Sequence, residues 1–181
     1  MKVIKHKKFL NPPEIIAEAG IKRGDSVADF GCAAGYFSLP AAAAVGDDGH
    51  VVAIDILPQA LETVESKARL AGYHIVETRC ANVEKAGGSG LDDESMDWVI
   101  LKNVLFMSDD DTAMLREAFR VMRNGGHALI VEWNDTYYGI GPKESDRIVY
   151  DVMRESLERV GFIFERDISV GDYHYGIIAK K

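Results

Sequence analysis

The sequence is short of the residues and segments that several classes of protein require. Its 181 residues include two cysteines, and no apolar run approaches the roughly 20 residues that cross a bilayer. The basic start, residues 1–8, is followed by no apolar segment of secretory length, so no signal peptide is predicted. We therefore expect a cytoplasmic protein with no membrane partner, in which Cys32 and Cys80 are reduced thiols.

Positive charge is also scarce. Lysine and arginine number 21 against 29 acidic residues, which gives a formal net charge of −8. Nonspecific nucleic-acid binding depends on neutralising phosphates, so this class of partner is disfavoured. The basic start is interpreted as a solvated tail. We predict a single domain over residues 1–181, with residues 1–10 as a candidate flexible segment.

Patterns typical of metal sites and general bases are lacking as well. Five histidines are present, and none has a partner at metal-ligand spacing or stands out as a general base. Three acids at 109–111 follow Ser108, and they suggest either a metal site or a helix start. Acids in a first turn favour the helix dipole, and Ser108 has capping spacing to Asp111. We therefore predict a helix start and no metal.

The chain alternates between strand and helix patterns. Strands are predicted at 27–30, 51–55, 74–78, 97–102 and 127–133. A helical segment follows each of them except 74–78, which is followed by a flexible acidic loop within 87–94. The helices are expected at 12–19 with a cap at Asn11, and at 37–45, 58–71, 108–122 (with a stop at 124–126) and 144–160. Strands at 162–169 and 173–179 then form a hairpin. This pattern predicts an α/β fold with a doubly wound, mostly parallel seven-stranded sheet, an antiparallel C-terminal hairpin strand and helices on both faces.

Three features fall at the carboxyl ends of consecutive predicted strands, where such sheets bind ligands. After the strand 27–30, a run of small residues from Gly31 to Gly35 exposes backbone N–H groups in a tight turn. Asp55, 24 residues after Gly31, is placed to accept hydrogen bonds from a ribose diol, although a strand-end Asp is as often a cap. The amide of Asn82, within 81–83, is placed to meet an adenine edge. Together they predict an adenosine site.

The small-residue loop differs from the dinucleotide fingerprint. A pyrophosphate site favours G-x-G-x-x-G, whereas residues 31–36 read Gly-Cys-Ala-Ala-Gly-Tyr and lack the glycines at 33 and 36. A nicotinamide-dependent oxidoreductase therefore remains only an alternative.

At this point the sequence resembles the class I methyltransferases that use S-adenosyl-methionine. Residues 29–35 (Asp-Phe-Gly-Cys-Ala-Ala-Gly) look like their first motif, Asp55 like their acidic second motif, and residues 95–101 like their fourth-strand motif. Residues 115–126 and the end from Val160 onward match the later part of the family pattern. The resemblance covers about residues 11–180, closest to small-molecule enzymes related to quinone biosynthesis. Ala33 and Asn82 depart from the usual Gly and Asp.

The resemblance implies S-adenosyl-methionine as cofactor and specific roles for the residues around it. Asp29 would lie near the amino-acid end of the cofactor, the loop would approach its methionine part, Asp55 would hold the ribose, and Lys102 would lie near the sulfonium. The implied cofactor residues are Asp29, Gly31, Cys32, Ala33, Gly35, Tyr36, Asp55, Ile56, Ala81, Asn82, Val83, Leu101 and Lys102. A non-catalytic module that binds the cofactor is the alternative function.

The acceptor is expected over the fourth and fifth strands. Its candidate residues are Asn103, Phe106, Trp133, Asn134, Tyr137, Tyr138 and Arg147, with Phe9 as a candidate lid. Alternative interpretations place Phe106 and Trp133 in the core, Lys102 at a solvated strand end and Arg147 on a helix surface. Because the chain carries no inserted domain, we predict a small-molecule acceptor and a monomer or homodimer. Two cysteines argue against the arsenic-methylating relatives, which use a cysteine cluster.

Overall fold

The structure, a computed structural model, describes residues 8–108, 110–135 and 139–181, with Asp111 described by its backbone alone. The predicted sites Tyr137 and Tyr138 lie outside these ranges. Within them the helices are α1 (Pro12–Ala19), α2 (Ser38–Val45), α3 (Pro58–Ala71), α4 (Asp111–Val121) and α5 (Tyr150–Val160). The strands are β1 (Ser26–Phe30), β2 (His50–Asp55), β3 (Val76–Cys80), β4 (Met96–Lys102), β5 (Met122–Trp133), β6 (Ile163–Asp167) and β7 (His174–Lys180). Short 3₁₀ turns occur at Leu105–Met107 and Glu144–Asp146.

The seven strands form one sheet in the order β3-β2-β1-β4-β5-β7-β6. β1 to β5 are parallel where they pair, and β7 runs antiparallel to both β5 and β6. This confirms the predicted doubly wound sheet with its antiparallel hairpin strand. The chain crosses over between β3 and β4, so the switch point lies between the carboxyl ends of β1 and β4, where this kind of sheet binds ligands.

The central strands are apolar on both faces because each face is covered. On β4, Val99 and Leu101 pack into a core with residues of α4 and α5, whereas Trp98 and Ile100 pack with residues of α1 and α2. A strand buried on both sides needs an unbroken apolar run, which is the pattern seen in the sequence. Because both faces are covered, polar groups meet a ligand at the carboxyl ends of the strands.

The start of α4 differs from the prediction. Asp110, rather than Ser108, is the N-cap, and its side chain accepts a hydrogen bond of 3.0 Å from the backbone N–H of Thr112. The Ser108 hydroxyl instead donates to the carbonyl of Asp110. Ser108 does not cap α4 because it is the C-cap of the preceding 3₁₀ turn, where its backbone is extended.

Other boundaries are shifted by tertiary contacts. Asn11 precedes α1 but makes no side-chain capping bond. β3 lies about two residues later than predicted, and 124–126 lie inside β5 rather than ending a helix. The fifth helix begins at Tyr150 rather than near residue 144, because the backbone at Arg147 is extended and its side chain turns inward.

Candidate functional site

A cavity of about 510 Å³ opens at the carboxyl ends of the central strands. This volume lies within the roughly 300–1,000 Å³ of ligand pockets. The predicted cofactor residues that line it are Asp29, Gly31, Cys32, Ala33, Tyr36, Asp55, Ile56, Ala81, Asn82, Val83 and Lys102, and the lining also includes the predicted acceptor residue Asn103. Residues far apart in sequence are therefore brought together around one cavity.

The loop after β1 is shaped by left-handed residues and by hydrogen bonds to β2. Gly31, Ala33 and Gly35 have φ angles of 72°, 47° and 78°. The N–H groups of Gly31 and Cys32 both donate to the carbonyl of Ile54, at 2.8 and 3.0 Å. A Cβ on Gly31 would lie 2.6 Å from Cγ2 of Val104, so a side chain at this position is excluded. The packing of Val104 against this turn and the left-handed backbone therefore both favour glycine at 31.

Asp55 is held by backbone donors on two sides. Its Oδ2 accepts from the N–H of Ala33 and its Oδ1 accepts from the N–H of Leu57, both at 2.9 Å. A carboxylate has about four lone-pair positions, so two remain for a ligand. Asp55 is therefore a fixed structural link whose carboxylate also lines the cavity, and it is not a helix cap, because Leu57 is the N-cap of α3.

Asp29 places a buried carboxylate at the other end of the cavity. Its side chain is 2% exposed, and its Oδ2 accepts a 2.5 Å hydrogen bond from the hydroxyl of Ser38 at the start of α2. Burial raises the pKa of Asp29 to about 6, against the opposing effects of the Ser38 bond and of Lys102. Ser38 was missed in the sequence, where it is one hydroxyl among small residues with no periodic signal.

Apolar side chains rim the part of the cavity formed by the ends of β2 and β3. Ile56 and Leu57 are 63% and 56% exposed, unusual values for large apolar residues. Val83 is buried and Asn82 is half-buried, with its Oδ1 accepting from the N–H of Glu84 at 2.8 Å. This region offers flat apolar surfaces and one side-chain amide, as a planar heterocycle requires.

A polar cluster lies at the opposite end, where β4, β5 and β7 meet. Asn103 follows β4 with a φ of 51°, and β7 places His174 opposite Trp133. Three nitrogens converge on the side chain of Asn103: Nζ of Lys102 and Nε2 of His174 at 3.1 Å, and Nε1 of Trp133 at 3.3 Å. We therefore orient the amide with its oxygen toward them, since the reverse orientation faces N–H groups with an NH₂.

Histidine 174 is neutral in this cluster. Burial, together with Lys102 and Arg147, lowers its pKa to about 4. With Nε2 donating to Asn103, its Nδ1 is the unprotonated nitrogen, and this buried atom has no hydrogen-bond partner among the described residues. His174 could not be selected from the sequence, because Trp133 and Asn103 lie 41 and 71 residues before it.

Several predicted site residues lie elsewhere. Leu101 is fully buried in the core, and neither Leu101 nor Gly35 lines the cavity. Phe106, Trp133 and Asn134 do not line the cavity either, and each is only partly buried. Lys102 is half-buried rather than a solvated strand end.

Arg147 is neither a cavity residue nor a surface helix residue. It is 7% exposed, and its guanidinium donates to the carbonyls of Asn134, Ile140 and Pro142 at 2.7–3.1 Å. It also lies 5.5 Å from the ring of Trp133. Arg147 therefore braces the loop after β5 against the sheet. In turn, sequence reasoning missed other residues that line the cavity, including Leu57, Ala60, Glu84, Val104, Met107 and Met114.

Comparison with known proteins agrees with this architecture. The chain is 32% identical over 118 residues to an arsenite methyltransferase of Halobacterium salinarum, a match covering 63% of this chain and 28% of that protein. It is 28% identical over 116 residues to a demethylmenaquinone methyltransferase of Listeria monocytogenes, covering 62% and 46%. The fold matches the crystal structure of a SAM dependent methyltransferase from Aquifex aeolicus with a TM-score of 0.87 and 24% identity, covering 95% and 90%. The chain spans less than half the length of the two curated relatives.

The strand order of the sheet and the cavity at its switch point are those of the class I, Rossmann-like methyltransferase fold. Residues 21–160 match the family described as "Methyltransferase domain", and the chain belongs to that family. S-adenosyl-methionine is the cofactor of class I methyltransferases, so the predicted family and cofactor are confirmed. Among the described helices, none is both long and apolar enough to cross a membrane.

Proposed function

We propose that this protein transfers the methyl group of S-adenosyl-methionine to a small organic acceptor. The observation that carries the proposal is the placement of Asp55, whose carboxylate is fixed beside the loop of Gly31 and still has free lone pairs toward the cavity. A cis-diol is a suitable partner for such a carboxylate at the end of the second strand.

The remaining groups of the cofactor have suitable partners in the same cavity. The adenine ring would lie between the apolar side chains at 56–57 and the segment 81–83, with Asn82 at its edge. Asp29 provides a carboxylate toward the ammonium of the amino-acid end, and an ammonium there would offset the burial that raises the pKa of Asp29. The loop from Gly31 to Ala34 lines the same cavity and would lie beside the methionine part of the cofactor.

The cofactor supplies an electrophilic methyl group on a sulfonium. The task of the protein is to hold the acceptor in line with that group and to exclude water, an alignment worth roughly 7–11 kcal/mol. Val104, Met107 and Asn103 line the cavity, and in this proposal they would face the acceptor. An acceptor that is already nucleophilic needs no dedicated base at this position.

The proposed acceptor is an organic molecule rather than arsenite. The chain has two cysteines, of which Cys32 is buried and Cys80 is exposed. Burial raises the pKa of the Cys32 thiol far above its ordinary value, which disfavours the thiolate that would ligate arsenic. A cytoplasmic location and a monomer or homodimer remain predictions.

Calorimetry tests the proposal directly. Purified protein should bind S-adenosyl-methionine and S-adenosyl-homocysteine, and it should not bind NAD. Incubation with a broad panel of metabolites and mass spectrometry should then detect a methylated product. Binding of NAD in place of both adenosyl ligands would contradict the proposal, whereas cofactor binding without any product would favour a non-catalytic module.

A further inference from the structure

Lys102 presents an ammonium to the cavity that the protein satisfies only in part. Its Nζ lies 3.1 Å from the side-chain oxygen of Asn103 and 5.9 Å from the centre of the Tyr36 ring. In the part of the chain that the structure describes, no carboxylate lies within 4.0 Å of this nitrogen. An ammonium carries three N–H donors, so two of them are available to water or to a ligand.

Among the described residues that line the cavity, Lys102 is the one cationic side chain. Asp29 and Glu132 act on it only at a distance, and Asp29 is bonded to Ser38. Glu132 instead accepts a bond of 2.9 Å from the N–H of Leu105. His174 is neutral, as described above, and the guanidinium of Arg147 donates to loop carbonyls.

The surroundings of Lys102 favour an anionic partner. Burial lowers the pKa of Lys102, which means that the protein groups around it stabilise its positive charge only in part. In the proposed function a sulfonium would also lie in this cavity, and two cations at close range repel each other. An anion beside Lys102 would offset both effects.

We infer that Lys102, oriented by Asn103, binds an anionic oxygen of the methyl acceptor, and that the acceptor therefore carries a carboxylate or phenolate group. Asn103 is strained into the left-handed region, where it brings its amide oxygen to Lys102, His174 and Trp133 at once. It thereby fixes the ammonium at the cavity wall. The inference rests on the proposed function and names the chemical class of its acceptor.

Matched anionic and neutral probes test the inference. Protein saturated with S-adenosyl-homocysteine is titrated with benzoate against benzamide, and with 4-nitrophenolate against 4-nitroaniline. At least one anion should bind more tightly than its neutral counterpart and should lose about tenfold or more in affinity in Lys102→Met. Lys180 is an exposed lysine that pairs with His127, at the ends of the strands opposite to the cavity. Lys180→Met should therefore leave probe affinity unchanged.

Asn103→Asp separates charge from packing. Asp has nearly the same shape and also tolerates positive φ, so the fold should persist in a thermal melt. Its carboxylate would lie about 3.1 Å from the ammonium and would compete with the probe. We expect anion binding to fall about tenfold or more although the lysine is retained.

Cofactor binding gives a second readout. Removing the positive charge in Lys102→Met should favour cationic S-adenosyl-methionine over neutral S-adenosyl-homocysteine, changing the ratio of their dissociation constants by roughly threefold or more. The inference is wrong if neither anion is preferred by the wild type, or if the preference persists in both variants. If neither adenosyl ligand binds, the proposed function fails, and titration of the free protein with the same probes still decides the role of Lys102.

Discussion

Ala33 and Asp55 are joined by a hydrogen bond of 2.9 Å from the backbone N–H of the first to Oδ2 of the second. The bond ties the loop after β1 to the end of β2, across 22 residues of sequence. Ala33 reaches it only with a φ of 47°, a conformation that a non-glycine residue rarely adopts. The same carboxylate that orders the loop is thus the proposed ribose acceptor.

Asp55→Ala should weaken the binding of S-adenosyl-homocysteine by about tenfold or more, because charged hydrogen bonds to a diol are each worth about 1.5–3 kcal/mol. Calorimetry measures the affinity, and circular dichroism checks that the fold persists. Glu62→Ala, on an exposed acid of α3, is the matched control. An unchanged affinity in Asp55→Ala would remove this residue from the site.

Ala33→Gly should raise the free energy of unfolding by about 0.5–1 kcal/mol. The left-handed conformation costs alanine roughly 1–2 kcal/mol, and the greater freedom of glycine in the unfolded chain returns about half of this. Urea denaturation measures the difference. Ala43→Gly, on an exposed position of α2, should change stability in the opposite direction by up to about 1 kcal/mol. Equal losses in both variants would refute the assigned strain.

Gly31→Ala should destabilise the fold by about 2–4 kcal/mol, because the new methyl would meet the side chain of Val104 and the φ of 72° is unfavourable for alanine. Val104→Ala removes the clash but not the backbone strain. The double variant should therefore lose less stability than the two single losses added together, by about 1 kcal/mol or more in a denaturant cycle. Strict additivity would show that the two side chains do not meet.

Glu132→Gln should change how stability depends on pH. Glu132 is 1% exposed, and burial raises its pKa to about 7 from an ordinary 4.5. A raised carboxyl pKa means that the folded state binds the proton more tightly, so this contribution is fully present below about pH 4.5 and is lost as the pH rises through about 7. Its size is on the order of a few kcal/mol.

The Gln variant keeps an acceptor for the N–H of Leu105 but does not titrate. Its free energy of unfolding should match that of the wild type near pH 5 and exceed it at about pH 8, as measured by denaturation in urea. In the Gln variant the free energy of unfolding should still fall slightly as the pH rises to about 6, since the pKa of Asp29 is also raised. Glu62→Gln should leave the profile unchanged, and parallel profiles for Glu132→Gln and the wild type would refute the prediction.

The succession of strands and helices, and the cavity residues that follow the first three strands, were predictable from sequence, because the signals there are local. Each of three features can be recognised within a few consecutive positions: the small residues after the first strand, the acid that ends the second, and Asn82 after the third. Boundaries were less predictable where a side chain bonds to groups outside the helix. The guanidinium of Arg147, within the predicted fifth helix, instead donates to three loop carbonyls while its backbone is extended, and helical periodicity does not reveal such contacts.

The doubly wound sheet, the tight loop at Gly31 and the carboxylate at the end of β2 follow from local sequence patterns, since apolar periodicity, turn residues and strand ends each occupy consecutive positions. The meeting of Lys102, Asn103 and His174 follows instead from how the strands pair in the folded protein. The antiparallel register of β7 on β5 sets His174 opposite Trp133, and the parallel pairing of β4 and β5 brings Asn103 alongside them. Such contacts depend on which strands are neighbours in the sheet, and strand neighbours cannot be read from any short stretch of sequence.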